Sequence, residues 1–247
     1  MQLLQQRNFL TGYFVAGFPS FEESIQSIKK AVENGLDAVE IGIPSQDPFL
    51  EGEVIKRAHK RTISHFHSEE QYIPFLKALR VEINVPIWIM GYAVDIVYTN
   101  LYKALCGEQL ADGFIIPDLT SLEVKDLKKE TNLIPVINED MDEEQLREAV
   151  SGCDIVYCQI YNGKTGSEIK SLTTLPNFCR RVRGLTNATL MAGFGVKTSQ
   201  VVEEVFQTGF DGVVVGSEIV RIIETGNSSA LVDFIQELAI CKGKGKV

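Results

Sequence analysis

The chain has 247 residues, 45% of them hydrophobic, with 33 acidic side chains against 24 basic ones and a formal charge of −9. That length suits one large domain or two small ones, and the acidic balance argues against nucleic acid as the main partner, because phosphate backbones select clustered Lys and Arg. No apolar run approaches the roughly 20 residues that a membrane span needs, and the opening MQLLQQRNFL lacks the order of a secretory signal, so a cytoplasmic protein is expected.

The first apolar run rich in aromatic and β-branched residues is TGYFVAG (11–17), which reads as a strand. FEESIQSIKKAVENG (21–35) follows with helical spacing, Ser20 as N-cap and Glu23 three residues on. DAVEIGI (37–43) is the second strand. After a longer connection come a helix, EEQYIPFLKALRVE (69–82), and a strand, VPIWIMG (85–91). The alternation continues through helix 95–109, strand DGFIIPD (112–118), helix 121–130, strand LIPVIN (133–138) and helix 142–152. Strand DIVYCQI (154–160), helix 172–184, strand ATLMAGF (188–194) and helix 198–209 come next. Strand DGVVVGS (211–217) leads into a short helix, EIVRII, and a last helix at 231–240.

Near-continuous apolar strands suit a parallel sheet buried on both faces. Eight of them alternating with helices, in a chain of this length, point to an α/β fold: a TIM (β/α)8 barrel spanning 1–247 as a single domain. A doubly wound sheet is the alternative. It explains eight strands less naturally, and no G-x-G-x-x-G follows the first strand.

The five cysteines form no C-x-x-C pair and read as reduced thiols. His59, His65 and His67 crowd into one polar segment without ligand spacing. They read as surface residues, and no metal site is expected.

Active sites of such barrels lie at the C-terminal ends of the strands. Within the second strand, Ala38, Glu40 and Gly42 share one face and Val39, Ile41 and Ile43 the other. The branched set faces the helices, so Glu40 points into the barrel mouth. No other predicted strand offers an interior Lys or Arg to pair with it. Burial raises a carboxyl pKa, which suits a general acid or base.

Glycines mark a second place. Strand seven ends in Gly193-Phe194-Gly195, and strand eight ends in Gly216-Ser217 before a helix. Backbone N–H groups there form an anion site at the usual phosphate position of this fold, so a phosphorylated small-molecule ligand is expected. The loop YNGKTGSE (161–168) is either a lid or an ordinary surface loop. Tyr92 and Asp118, at the ends of strands three and four, either line the site or serve as a packed ring and a capping acid.

The segment Glu40-Ile41-Gly42-Ile43-Pro44, then Asp47-Pro48 and Gly52, resembles the E-L-G-I-P-F-S-D-P-x-A-D-G-P signature of the tryptophan synthase α subunit family. The resemblance covers essentially the whole chain. Tyr13 through Pro19 is similar to the family's Y-x-x-A-G-F-P, Tyr92-Ala93 to M-Y-A-N, Asp118 to V-x-D-x-P and Thr165-Gly166 to G-x-T-G. Gly193-Phe194-Gly195 and Gly216-Ser217 are similar to its G-F-G and G-S.

The resemblance implies a lyase that splits indole-3-glycerol phosphate into indole and glyceraldehyde 3-phosphate by a retro-aldol reaction. It implies no cofactor in this chain. Indole passes to a PLP-dependent tryptophan synthase β subunit, in an αββα heterotetramer. It makes Glu40 the acid/base that protonates the indole ring carbon. It places Glu51 where a second catalytic carboxylate holds the indole N–H. Tyr13, Tyr92, Asp118, Tyr157, Thr165 and Gly166 are implied around the substrate. Gly193, Phe194, Gly195, Gly216 and Ser217 are implied around its phosphate. Pro44, Asp47 and Pro48 match positions that touch the β subunit.

Departures concentrate at the mouth. Glu51 stands for the family's Asp, and one added methylene displaces the carboxylate by roughly 1 Å, enough to cost on the order of 100-fold where geometry is tight. Glu53 replaces a proline and Ser45-Gln46 replaces Phe-Ser. Lys164 and its neighbours replace the Arg and Val of loop six, Gln159 replaces a Leu, and Val94 replaces an Asn. Two functions follow: a lyase of impaired rate that retains allosteric activation of β, or a fully active lyase. Another phosphate-binding barrel, an isomerase or synthase, fits the fold and leaves the signature unexplained.

Overall fold

Runs of β-branched and aromatic residues form eight strands: β1 (Phe9–Val15), β2 (Ala38–Gly42), β3 (Ile87–Met90), β4 (Gly113–Ile115), β5 (Val136–Asn138), β6 (Ile155–Gln159), β7 (Thr189–Gly193) and β8 (Gly212–Val215). The computed structural model describes residues 8–66, 68–160 and 173–243. Every described strand pair is parallel, in the order β4-β3-β2-β1-β8-β7-β6-β5. An isolated bridge joins the two ends: Phe114 N–H donates to the Asn132 carbonyl at 2.9 Å, and Ile134 N–H to the Phe114 carbonyl at 2.8 Å. The sheet closes into the expected barrel.

Helices cover its outside: α1 (Phe21–Glu33), α2 (Glu53–Ile63), α3 (Glu69–Glu82), α4 (Ala93–Ile96), α5 (Leu101–Gly107), α6 (Ser121–Leu127), α7 (Glu143–Val150), α8 (Leu175–Arg183), α9 (Ser199–Gln207), α10 (Ser217–Glu224) and α11 (Ser228–Ile240). The Ser20 hydroxyl accepts from the Glu23 N–H at 3.3 Å and so starts α1 as read. The predicted 95–109 helix is two helices, broken where Asn100 adopts a left-handed φ of 62°. Asn tolerates that conformation better than most residues.

The connection after β2 contains a helix that the sequence reading left out, α2. Ile55, Ala58, His59 and Thr62 are its buried residues, on the spacing of one helical face. Arg57 donates to both carboxylate oxygens of Glu224, at 3.3 and 2.9 Å, and ties α2 to α10.

Val39 and Ile41 on β2 are fully buried toward the helices. The interior is filled at one end by Trp88 against Phe9, edge to face at 6.2 Å. Below them Lys242 pairs with Asp37 at 2.7 Å, and the same carboxylate accepts the Leu10 N–H at 2.8 Å. The bottom is thus packed and tied, and the free space lies at the other end, where the strands finish. Among the described residues no helix is long and apolar enough to cross a membrane.

Candidate functional site

β2 turns Glu40 inward, in register with Tyr13 on β1 and Trp88 on β3. Glu40 is 1% exposed, and among the described residues its Oε2 atom has no hydrogen-bond partner. Burial first, and then the neighbouring Glu51 charge, push its carboxyl up to about 8. At neutral pH Glu40 therefore holds its proton, the form a general acid needs.

Glu51 reaches the same space from the turn that precedes α2. Its N–H donates to the Pro48 carbonyl at 3.0 Å, and the residue is 3% exposed. Both carboxyl groups line one cavity, with Tyr13 and Tyr157 beside them. Phe194, Gly195, Gly216 and Ser217 form another part of its wall. The chain thus brings together Glu40 and Glu51 with the phosphate candidates Phe194, Gly195, Gly216 and Ser217, from β2, the loop after it and the ends of β7 and β8; Gly193 does not line the cavity.

Each tyrosine fits because a glycine lies under it. A Cβ on Gly42 would stand 2.2 Å from the Tyr13 hydroxyl, and one on Gly193 would stand 2.0 Å from that of Tyr157. Phe194 packs edge-on against Tyr157 at 5.9 Å. Its φ of 71°, followed by 89° at Gly195, is sparsely populated for a phenylalanine. Such strain concentrates at ligand sites. Gly216 is the N-cap of α10 and supplies no side-chain cap, so the first-turn N–H groups are left for another acceptor. Among the described lining residues there is no Lys or Arg. An anion here would rest on backbone dipoles.

Tyr92 and Asp118 stand behind the site. The Tyr92 hydroxyl accepts the Leu50 N–H at 3.1 Å, and its ring stacks on Phe49 with centroids 4.7 Å apart. Both contacts pin the turn that carries Glu51. Asp118 accepts the Ala93 N–H at 2.9 Å and caps α4. Asp47 is exposed, whereas Pro44 and Pro48 are buried, and Phe49 presents the exposed apolar surface of this loop. Thr165 and Gly166 lie outside the described residues.

One reading is corrected. His59 is not a surface residue: it is 3% exposed on the inner face of α2. Nδ1 lies 3.0 Å from the Ser45 N–H and Nε2 lies 3.1 Å from the Tyr13 hydroxyl. Burial pushes its pKa down to about 4. The available signal was the spacing of Ile55, Ala58 and Thr62, which sets His59 on the same face. His65 is exposed as read, and His67 lies outside the described residues. Among the described residues no three His, Cys, Asp or Glu side chains are grouped to hold a metal ion.

The model of the family "Tryptophan synthase alpha chain" matches residues 2–245. The tryptophan synthase alpha chain of Dehalococcoides mccartyi is 28% identical over 243 residues, covering 95% of each chain. That of Methanosarcina mazei is 32% identical over 225 residues, covering 88% of this chain and 82% of the relative. Among solved structures, a chain of the tryptophan synthase complex from Pyrococcus furiosus superposes with a TM-score of 0.81 at 23% identity, over 94% of this chain and 98% of that one. At that identity the superposition speaks for the barrel fold.

Proposed function

Since the chain belongs to the tryptophan synthase alpha chain family, a family of lyases in tryptophan biosynthesis, we propose that it binds indole-3-glycerol phosphate in the cavity and cleaves it more slowly than members with Asp at position 51. The observation that carries this reading is that Glu40 and Glu51 line one cavity together with Gly195, Gly216 and Ser217.

The phosphate rests on Gly195, Gly216 and Ser217. Glu40 delivers its proton to the ring carbon that bears the glycerol chain, while Glu51 holds the ring N–H. The hydroxyl next to the breaking bond then gives its proton to the Glu40 carboxylate left by the first step, the carbon–carbon electron pair returns to the ring, and indole and glyceraldehyde 3-phosphate separate. Atoms balance without water, metal or a cofactor on this chain.

Activation of a β subunit is the second half of the proposal. Phe49, Val94 and Tyr98 expose large apolar surface beside the mouth. Exposed apolar side chains on the loops after β2 and β3 suit a partner, which we take to be the PLP-dependent β subunit in an αββα assembly in the cytoplasm. Loop closure on a ligand could signal across such a surface even where cleavage is slow.

Release of glyceraldehyde 3-phosphate from indole-3-glycerol phosphate, with and without β, tests both halves. Slow release with clear stimulation of β by the bound ligand is expected. Brisk release at the rate of an Asp-bearing relative overturns the impairment, and no binding overturns the site. Glu51→Asp should raise the rate by about tenfold or more if side-chain length is the defect.

A further inference from the structure

The Tyr13 hydroxyl is set between α2 and the cavity. Among the described residues His59 is its one hydrogen-bond partner, and Gly42 leaves the space it occupies. His59 faces two groups of different character. The Ser45 backbone N–H can only donate, so Nδ1 must accept. A neutral imidazole with an accepting Nδ1 carries its proton on Nε2, and Nε2 therefore donates to the Tyr13 oxygen. The Tyr13 proton must then turn elsewhere, and the cavity is on its other side. Ser45 is held in its turn, since its side chain hydrogen-bonds to the Asp95 carboxylate. Ser45, His59 and Tyr13 are all buried, which keeps water from competing for these bonds.

We propose that His59 is a positioning residue: the relay Ser45 N–H to Nδ1, then Nε2–H to Tyr13 Oη, fixes one imidazole tautomer and turns the Tyr13 hydroxyl proton into the cavity. There the hydroxyl donates to an acceptor oxygen of the bound substrate beside Glu40, its register partner on β2. The catalytic half rests on the lyase reading. The tautomer half stands without it.

Two measurements decide. In a long-range proton–nitrogen correlation spectrum of histidine-labelled protein, the His59 signals are those lost in His59→Asn. They should report neutral imidazole protonated at Nε2 from pH 6 to pH 8. Protonation at Nδ1, or imidazolium, overturns the relay whether or not the chain turns over. The second measurement compares two variants whose fold is checked by circular dichroism. His59→Gln keeps a donor at the ε position, and His59→Asn keeps only the acceptor at the δ position. With indole-3-glycerol phosphate and the β subunit, His59→Asn should lower kcat about tenfold with KM little changed. His59→Gln should stay within about threefold of wild type. In a Tyr13→Phe background the two should become indistinguishable. If they still differ there, or lose activity equally in the native background, His59 is structural and the proposal fails. A wild-type chain without turnover sinks the lyase reading and leaves the spectrum to judge the relay.

Discussion

The two walls of the cavity are built by different means. On one, Phe194-Gly195 and Gly216-Ser217 offer backbone: two left-handed residues and the open N-terminus of α10. On the other, Glu40, Glu51 and Tyr13 offer side chains, two of them held by something distant in sequence: Tyr13 by His59, and the Glu51 turn by Tyr92. A backbone wall tolerates change in side chains as long as its glycines remain. A side-chain wall depends on every supporting contact. Several of the family departures, Ser45, Glu51 and Glu53, fall in or beside the second wall, and the first keeps its glycines.

Removing the acid from the side-chain wall should give the largest effect. Glu40→Gln should lower cleavage by at least a hundredfold, the scale of general acid catalysis, and should also change stability. In the fold the Glu40 carboxyl titrates near 8 against an ordinary 4.5. Between these values the folded state keeps a proton that the unfolded state loses, so stability falls as pH rises from about 4.5 to about 8. Gln cannot ionise. At pH 7 the variant should be the more stable by on the order of 3 kcal/mol, and the gap should close by pH 4. His59 gives the opposite slope: held near 4 against 6.5, it contributes stability above 6.5 that is lost as pH falls toward 4. Denaturant unfolding across pH 4–9 separates the two. A Glu40→Gln curve parallel to wild type would show that Glu40 is not held protonated.

The backbone wall should break differently. In Gly193→Ala the new Cβ would meet the Tyr157 hydroxyl at 2.0 Å. Tyr157 is buried and packed edge-on by Phe194, so it cannot swing away freely. Overpacking of this kind costs about 1–3 kcal/mol. Thermal unfolding should show that loss. KM for indole-3-glycerol phosphate should rise more than kcat falls if, as proposed, this wall holds the phosphate and not the reacting carbon. A kcat loss with KM unchanged would erase the division between the walls.

What could be read from the residues alone follows the same division. The strands were legible because a parallel barrel buries both strand faces, which leaves long apolar runs such as VVV in β8. The glycine-rich wall was legible because glycine itself marks the turns that bring Gly195 and Gly216 to the cavity. Glu40 was legible as one acid in an apolar strand. His59 was not, because in KRAHKR its basic neighbours give the segment the look of a solvated face. Only the folded α2 shows that the helix turns His59 inward. Tyr92 was ambiguous because its partner, the Leu50 N–H, lies 42 positions away. Such contacts carry no local signature.

Tyr92→Phe tests the smallest of these supports. The substitution keeps the ring and therefore its stacking on Phe49. It removes only the oxygen that accepts the Leu50 N–H. Leu50 is half-buried, so water can reach that N–H in part, and the loss should be near 1 kcal/mol. Leu50 is the residue before Glu51, and the same turn is closed by Glu51 N–H on the Pro48 carbonyl. A looser turn lets the Glu51 carboxyl wander by a fraction of an ångström. Cleavage should fall by several fold, with the phosphate grip untouched and KM nearly constant. In Glu51→Asp the shorter arm has less reach to spare, so the same Tyr92→Phe change should cost that variant more than it costs wild type. Equal effects in the two backgrounds would mean that Tyr92 stabilises the loop without placing the carboxylate, and that the side-chain wall owes its geometry to β2 and α2 alone.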